Sequence, residues 1–256
     1  MNSITVVKVG GAVVEDDAQL TDLLKDFSAI EGRKVLIHGG GRKATKLAEK
    51  LGIETNMVNG RRITGKDMLD VVTMVYGGLI NKTVVARLQA CGMNALGLTG
   101  ADMGIIRSRK RPLKDGIDYG FVGDVENTDG KTLSMLVETG IIPVIAPLTH
   151  DGNGNILNTN ADTIAAETAK ALARHYDVTL IYCFEKKGVL YNPDDEDSVI
   201  PVITREDFHK FVEDGTVAGG MIPKIENALS AIDCGVKEVI ITLAKAIDGK
   251  HGTVIR

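Results

Sequence analysis

Two lysines, an aspartate and several runs of glycine stand where chemistry on an anion would need them. Lys8 interrupts the apolar run ITVVKVG (4–10), and Gly10 and Gly11 follow it at once. An ammonium inside a buried strand is costly unless a carboxylate or a bound anion meets it, although a lysine on an edge strand can snorkel to solvent. In HGGGRKA (38–44) a strand runs into Gly39, Gly40 and Gly41 and then into a helix-like pattern. Glycines let a backbone approach a ligand closely, and the free N–H groups of a helix start attract phosphate or carboxylate. The same residues admit a second reading, because Gly39, Gly41 and Ala44 satisfy the GxGxxA dinucleotide fingerprint. The acidic residue expected about 20 positions on is replaced there by VNGRRIT, which leaves only a basic, NADP-like version.

Three further segments belong with these. In NGRRIT (59–64), Arg61 or Arg62 has the planar fork that clamps a carboxylate, against the plainer reading of a solvated turn. AGGMIPK (218–224) sets Gly219 and Gly220 before a helix with Pro223 in its first turn. Lys224 then projects at the end of the helix dipole that opposes a cation, which suits it if an anion joins it there. NTNAD (158–162) crowds Asn158, Asn160 and Asp162 at the entrance of a helix that needs one cap. Phosphoryl transfer would use all of these parts, since it asks the protein for in-line positioning and for neutralisation of charge on the moving group. In that reading Asp162 orients Lys8 and Lys224, Asn158 contacts the acceptor, and Asn160 shapes the turn.

The elements that must position these residues alternate along the chain. Apolar, β-branched runs at 4–10, 34–38, 94–99, 141–148, 178–184 and 237–242 read as strands, several of them unbroken as strands covered on both faces require. Helical patterns at 18–30, 42–52, 65–91, 131–140, 162–175, 205–213 and 222–235 separate them. This order predicts an open αβα sandwich with a mostly parallel central sheet, whose ligand crevice lies at the carboxyl ends of the strands. The interval 103–126, with Gly116, Gly120 and Gly123, reads as antiparallel ribbons beside that sheet. A shift near 176 predicts two lobes sharing one sheet, 1–176 and 177–256. The charged run NPDDEDS (192–198) reads as an exposed loop.

Composition removes several function classes. The 256 residues are 44% hydrophobic and 25% charged, with a net charge of −4. There is no broad basic footprint for nucleic acid beyond RSRKR (107–111), which reads as a solvated strand or loop. Cys91, Cys183 and Cys234 are far apart in apolar contexts and read as buried, reduced thiols, which fits the cytoplasm. MNSITVVKVGG begins as a strand without a secretory pattern, and no run approaches the roughly 20 apolar residues of a membrane span.

KVGG, HGGG, NGRRIT, NTNAD and GGMIPK, with LTGADMGII and GFVGDV between them, follow the order and spacing of the amino acid kinase family, which the chain resembles over its whole length. The likeness is strongest to the members that phosphorylate an N-acylated glutamate in arginine biosynthesis. It implies ATP with magnesium, the metal taking no ligand from protein side chains, and transfer of the γ-phosphoryl group to a side-chain carboxylate. N-acetyl-L-glutamate is the expected acceptor. N-succinyl-L-glutamate and other acceptors of the family are alternatives, and a dinucleotide-dependent oxidoreductase or a non-catalytic sensor are alternatives of another class. By motif matching, Lys8 and Lys224 would stabilise the transferring group and Asp162 organise them. Gly40, Gly41, Arg62 and Asn158 would bind the acyl amino acid, with Arg62 on its α-carboxylate. Gly10, Gly11 and Gly39 would cradle phosphate, and Glu185, Gly188, Val189, Leu190, Gly219 and Gly220 would border the nucleotide. The sequence departs from the family at FEKKGVL (184–190), where a Ser/Thr-Asp-Val-x-Gly pattern is usual, and at Arg61, where an apolar residue is common. Arg61 would suit an acyl group carrying its own carboxylate, or face solvent. Arginine-inhibited members carry an extra N-terminal helix before the first strand, so a homodimer insensitive to arginine is expected, paired through the apolar surface of 65–91.

Overall fold

The computed structural model describes residues 2–58, 61–113, 115–219 and 221–256. Asn59 and Gly60 of NGRRIT and Gly220 of AGGMIPK lie outside the described residues. The chain starts with β1 (Ser3–Val9), a short helix α1 (Gly11–Glu15), α2 (Asp17–Ala29), β2 (Arg33–His38) and α3 (Gly41–Lys50). A small antiparallel pair, β3 (Met57–Val58) and β4 (Arg61–Arg62), precedes a continuous helical stretch of α4 (Lys66–Val72), a π-helical segment (Thr73–Ile80) and α5 (Asn81–Ala90). Then come β5 (Ala95–Leu98), β6 (Ile106–Lys110), β7 (Gly123–Thr128), α6 (Gly130–Glu138), β8 (Ile142–Ile145), β9 (Leu148–His150), β10 (Ile156–Asn158) and α7 (Ala161–Leu172). The last part holds β11 (Asp177–Phe184), β12 (Val202–Ile203), α8 (Arg205–Glu213), α9 (Met221–Asp233), β13 (Glu238–Leu243) and β14 (Thr253–Ile255).

Eight strands form the central sheet in the order β12-β14-β13-β11-β1-β2-β8-β5. Its neighbours run parallel except β13 with β14. Side chains alternate across it, as a period of two requires. Ile4 and Val6 of β1 join the core beneath α6, α7 and α9, whereas Val7 and Val9 join the core beneath α2, α3 and the long helical stretch. Each such side chain stabilises the fold by about 1.5–3 kcal/mol on burial, so a one-residue slip of β1 is strongly disfavoured. That register also places Lys8 on the Ile4 and Val6 side, at the end where the core gives way to the crevice.

The expected ribbons are present, with β6 and β7 antiparallel to each other. They belong to a second sheet, β10-β9-β6-β7, whose β9 and β10 come from 148–158. The run 141–148 is therefore not one strand: it breaks after Ile145, and Leu148 begins β9 in the other sheet. The stretch Lys66–Ala90 is long and apolar enough by composition to cross a membrane, but half of it is buried inside the fold, with Val71, Val72, Val75 and Val84 in the core. Cys183 is buried, but Cys91 and Cys234 are exposed, and all three are free thiols. The two exposed ones sit where α5 and α9 end and the chain turns at the surface, so apolar flanks misjudge their burial. Residues 192–197 are exposed, as expected. The division at 176/177 falls between β11 and the strand it pairs with along its length, β1, so both parts share one sheet.

Candidate active site

The carboxyl ends of β1, β2 and β11 bring Lys8, the two glycine turns and Glu185 to one crevice. Lys8, near the end of β1, is 7% exposed, and its Nζ lies 2.6 Å from Oδ1 of Asp162 at the start of α7. The crowding at NTNAD is thereby divided into three tasks. Asn160 is the cap, its Oδ1 accepting from the N–H of Asp162 at 2.8 Å and of Thr163 at 3.2 Å. With the first turn so satisfied, the Asp162 carboxylate is free to meet Lys8. Asn158 is buried on β10 and its Nδ2 donates to Thr64 Oγ1 at 3.0 Å.

Lys224 sits in the first turn of α9, and its Nζ lies 3.8 Å from the centre of the Phe184 ring. Among the described residues it has no ion-pair partner, so Asp162 acts on it only through its charge. Burial lowers the pKa of its ammonium, Asp162 acts in the opposite sense, and Lys8 lowers it further. Such a group is prepared for an incoming anion.

Two cavities meet here. One, of ≈ 490 Å³, is lined by Lys8, Gly10, Asp162, Phe184, Glu185 and Lys224, among others. The other, of ≈ 210 Å³, is lined by Gly39, Gly40, Arg61, Arg62, Tyr76 and Asn158, among others. Gly11 and Gly41 line both. Their two glycine turns touch backbone to backbone: a Cβ on Gly39 would come within 3.2 Å of Gly11 N, and one on Gly11 within 3.4 Å of Gly40 N. A Cβ on Gly40 would collide with Cδ1 of Ile80 and come 3.0 Å from the Tyr76 ring, so any larger residue there forces one of them to move. Gly41 opens α3, which directs the free N–H groups and positive dipole end of that helix at the junction.

His38 steadies this turn from below. It is fully buried, with Nδ1 2.9 Å from Gly39 O and Nε2 3.2 Å from Nδ2 of Asn81, which also donates to Val144 O at 2.9 Å. The ring therefore donates from Nδ1 and accepts at Nε2, a neutral form. Burial pushes its pKa down to about 4. In a trans peptide the N–H points away from the C=O, so a Gly39 carbonyl held by His38 turns the Gly40 N–H away from that ring.

Arg62 forms the floor of the smaller cavity. It is 8% exposed, and its guanidinium donates to Gly41 O and Thr45 Oγ1, both at 2.9 Å. These partners are neutral, and Arg62 makes no ion pair among the described residues, so its charge is available to a carboxylate. Tyr76, on the π-helical segment, also meets Arg62, and burial raises the pKa of its phenol. Arg61 lines this cavity and a neighbouring one that holds Arg111 and Asp124. Asp124 pairs with Arg111 at 3.0 Å, while burial and the Arg111 charge lower the pKa of Arg61.

On the nucleotide side, Glu185 and Gly188 line the larger cavity, and Glu185 pairs across it with Arg42 at 2.9 Å. Val189 and Leu190 instead turn inward, 2% and 8% exposed, and the Val189 N–H is taken by Thr253 Oγ1 at 2.8 Å. Gly219, with φ +56°, stands just ahead of α9 and does not line the cavity. Sequence reasoning did not single out Phe184, Tyr76, Thr64 or Arg42. Only Arg42, as a cation inside a glycine-to-helix turn, carried a signal.

A mostly parallel sheet covered on both faces thus carries a lysine-lined cleft that opens onto an arginine-floored pocket. The chain belongs to the amino acid kinase family, which residues 3–243 match. It is 66% identical over 253 residues to the acetylglutamate kinase of Phocaeicola vulgatus, covering 99% of this chain and 98% of that protein. It is 65% identical to the acetylglutamate kinase of Bacteroides thetaiotaomicron, with the same coverage. Among solved structures, smu.665 from Streptococcus mutans superposes with a TM-score of 0.80 at 30% identity, over 98% of each chain. With the family settled, the dinucleotide reading of Gly39, Gly41 and Ala44 falls away.

Proposed function

We propose that this enzyme transfers the γ-phosphoryl group of ATP to the side-chain carboxylate of N-acetyl-L-glutamate, a step of arginine biosynthesis. The observation that carries the reading is the meeting of the two cavities at Gly11 and Gly41, in a chain 66% identical to an acetylglutamate kinase. The nucleotide lies in the larger cavity, its base end toward the 177–256 lobe. The acyl amino acid lies in the smaller one, built from the 1–176 lobe, with Arg62 on its α-carboxylate and Asn158 beside it. A carboxylate oxygen attacks the γ-phosphorus, a new O–P bond forms, and the bond to the ADP oxygen breaks. Lys8 and Lys224 offset charge that grows on the moving group, Asp162 keeps Lys8 aimed, and the Gly11, Gly40 and Gly41 backbone offers N–H groups at the junction.

The half-buried Lys224, lacking an anionic partner among the described residues, fits a polyphosphate. Magnesium would arrive held by the phosphates, where it neutralises their charge. The enzyme works in the cytoplasm as a homodimer. Met74 and Leu79 on the π-helical segment and Leu96 on edge strand β5, each 38% exposed or more, offer the apolar surface for a second copy.

A second reading concerns the acyl group. Arg61 lines the acceptor cavity while the nearby Asp124 is engaged by Arg111, which favours an acyl group ending in a carboxylate, such as succinyl. The test of both is ADP release with magnesium-ATP and, in turn, N-acetylglutamate, N-succinylglutamate, free glutamate, aspartate, carbamate and UMP. Turnover is expected with an N-acylated glutamate. Equal turnover of free glutamate, or turnover of carbamate or UMP alone, would reject the assignment.

A further inference from the structure

Lys8 and Lys224 bring like charges to one cleft, and Asp162 answers only the first of them directly, at 2.6 Å. A partly buried ammonium on a flexible four-carbon stem normally turns to solvent when no anion holds it. Lys224 instead lies with its Nζ 3.8 Å from the centre of the Phe184 ring, and Lys8 lies 5.2 Å from the same centre. Both distances fall within the range of about 6 Å over which an aromatic face attracts a cation. The ring is itself held in place. It stacks on Tyr182, with centres 5.9 Å apart and planes 17° apart, and the Tyr182 hydroxyl donates to the Asp162 carbonyl at 3.1 Å. Lys8 and Tyr182 are register partners on adjacent parallel strands, so their side chains share one face of the sheet.

We propose that Phe184 is a positioning residue for phosphoryl transfer, its ring face holding Lys224, and to a lesser degree Lys8, toward the cleft until a polyphosphate takes over. This rests on reading the cleft as the site of phosphoryl transfer. The ring is suited to the task because it attracts both ammonium groups without forming an ion pair that the nucleotide would have to break. A carboxylate in its place would compete with the phosphate for the same charge, and an aliphatic side chain would leave Lys224 unheld. Leucine fills much of the same space without the quadrupole, whereas tyrosine keeps it, so the two substitutions separate attraction from packing.

The protein as it stands, without nucleotide, allows a test independent of turnover. With lysines labelled for NMR, the Lys224 ε-methylene protons are expected upfield from shielding by the ring face, in the wild type and in Phe184→Tyr but not in Phe184→Leu. In ADP-release assays, Phe184→Leu is expected to lower kcat by roughly tenfold while KM for the acyl amino acid is unchanged, and Phe184→Tyr to restore kcat to within about twofold. An unshifted Lys224 methylene in the wild type would overturn the proposal, as would Leu and Tyr variants with equal kcat. Absence of turnover of any N-acylglutamate by the wild type would overturn the assigned reaction instead, and the NMR comparison would then decide the role of the ring alone.

Discussion

The carboxylate of Asp162 stands 2.6 Å from the ammonium of Lys8, with the lysine side chain 9% exposed and the aspartate 21%. A charge this far from water depends on its partner, because removing one member of a buried pair leaves the other uncompensated. Asp162→Asn is therefore expected to lower both kcat, by roughly two orders of magnitude or more, and the melting temperature. Lys224→Ala should lower kcat to a similar degree and leave the melting temperature unchanged, since among the described residues no ion-pair partner of Lys224 would be left uncompensated. Steady-state ADP release and thermal melts check both, and an undiminished kcat in either variant would take that residue out of the reaction.

Arg61 supplies a specificity test. Arg61→Leu should raise KM for N-succinylglutamate much more than for N-acetylglutamate, because only the former loses a charge-assisted hydrogen bond. Parallel changes for the two substrates would make Arg61 a surface residue without a part in recognition.

Gly40→Ala tests the packing at the junction. A methyl group colliding with Ile80 Cδ1 and 3.0 Å from the Tyr76 ring forces one of them to move, at a cost of about 1–3 kcal/mol. A lower denaturant midpoint is expected, with a higher KM for the acyl amino acid because Tyr76 also lines the cavity proposed for it. A variant as stable as the wild type would show that the segment carrying Ile80 and Tyr76 yields freely.

His38 predicts an acid limb in stability. Its pKa falls from an ordinary 6.5 to about 4 on burial, so below pH 6.5 the unfolded chain binds a proton that the folded chain refuses. The contribution of His38 is then complete above pH 6.5 and declines as pH falls toward 4, by about 3 kcal/mol in all. Denaturant titrations at pH 7 and pH 5 should show a larger loss for the wild type than for His38→Gln. Equal losses would locate the acid sensitivity elsewhere.

The apolar surface of the long helical stretch predicts the assembly. Met74→Glu combined with Leu79→Glu should convert the proposed homodimer to a monomer in light scattering without unfolding it, since both side chains are more than half exposed. A double variant that remains dimeric would place the interface on another face.

The layered sheet and most of its elements were legible because buried parallel strands must be apolar on both faces and amphipathic helices must alternate with them. Lys8, Asp162, Lys224 and the glycines stood out for a related reason: each is expensive or surplus where it stands unless a ligand or partner offsets it, whereas Arg62, which alone reads as part of a solvated turn, was singled out by the family resemblance. Phe184 and Tyr76 did not stand out, because an aromatic residue at the end of a strand or on a helix is ordinary core material. Their significance lies in what long-range pairing sets beside them. The π-helical turns that aim Tyr76 at Gly40 leave no mark on a pattern read with the α-helical period. Val189 and Leu190 follow a cleft glycine in sequence, but the hydrogen bond from Val189 to Thr253 draws the chain into the core, and Cys91 and Cys234 were misjudged because the ends of helices escape the periodicity that marks their faces.

The two residues common to both cavities, Gly11 and Gly41, have no side chains. The shared wall therefore offers no nucleophile onto which the phosphoryl group could be parked between substrates. With donor and acceptor in the two cavities as proposed, both are expected to be present together and transfer to be direct within a ternary complex. Initial rates measured at several fixed concentrations of the second substrate should then give intersecting lines in a reciprocal plot, the signature of a sequential order of addition, and inversion of configuration at a chirally labelled γ-phosphorus.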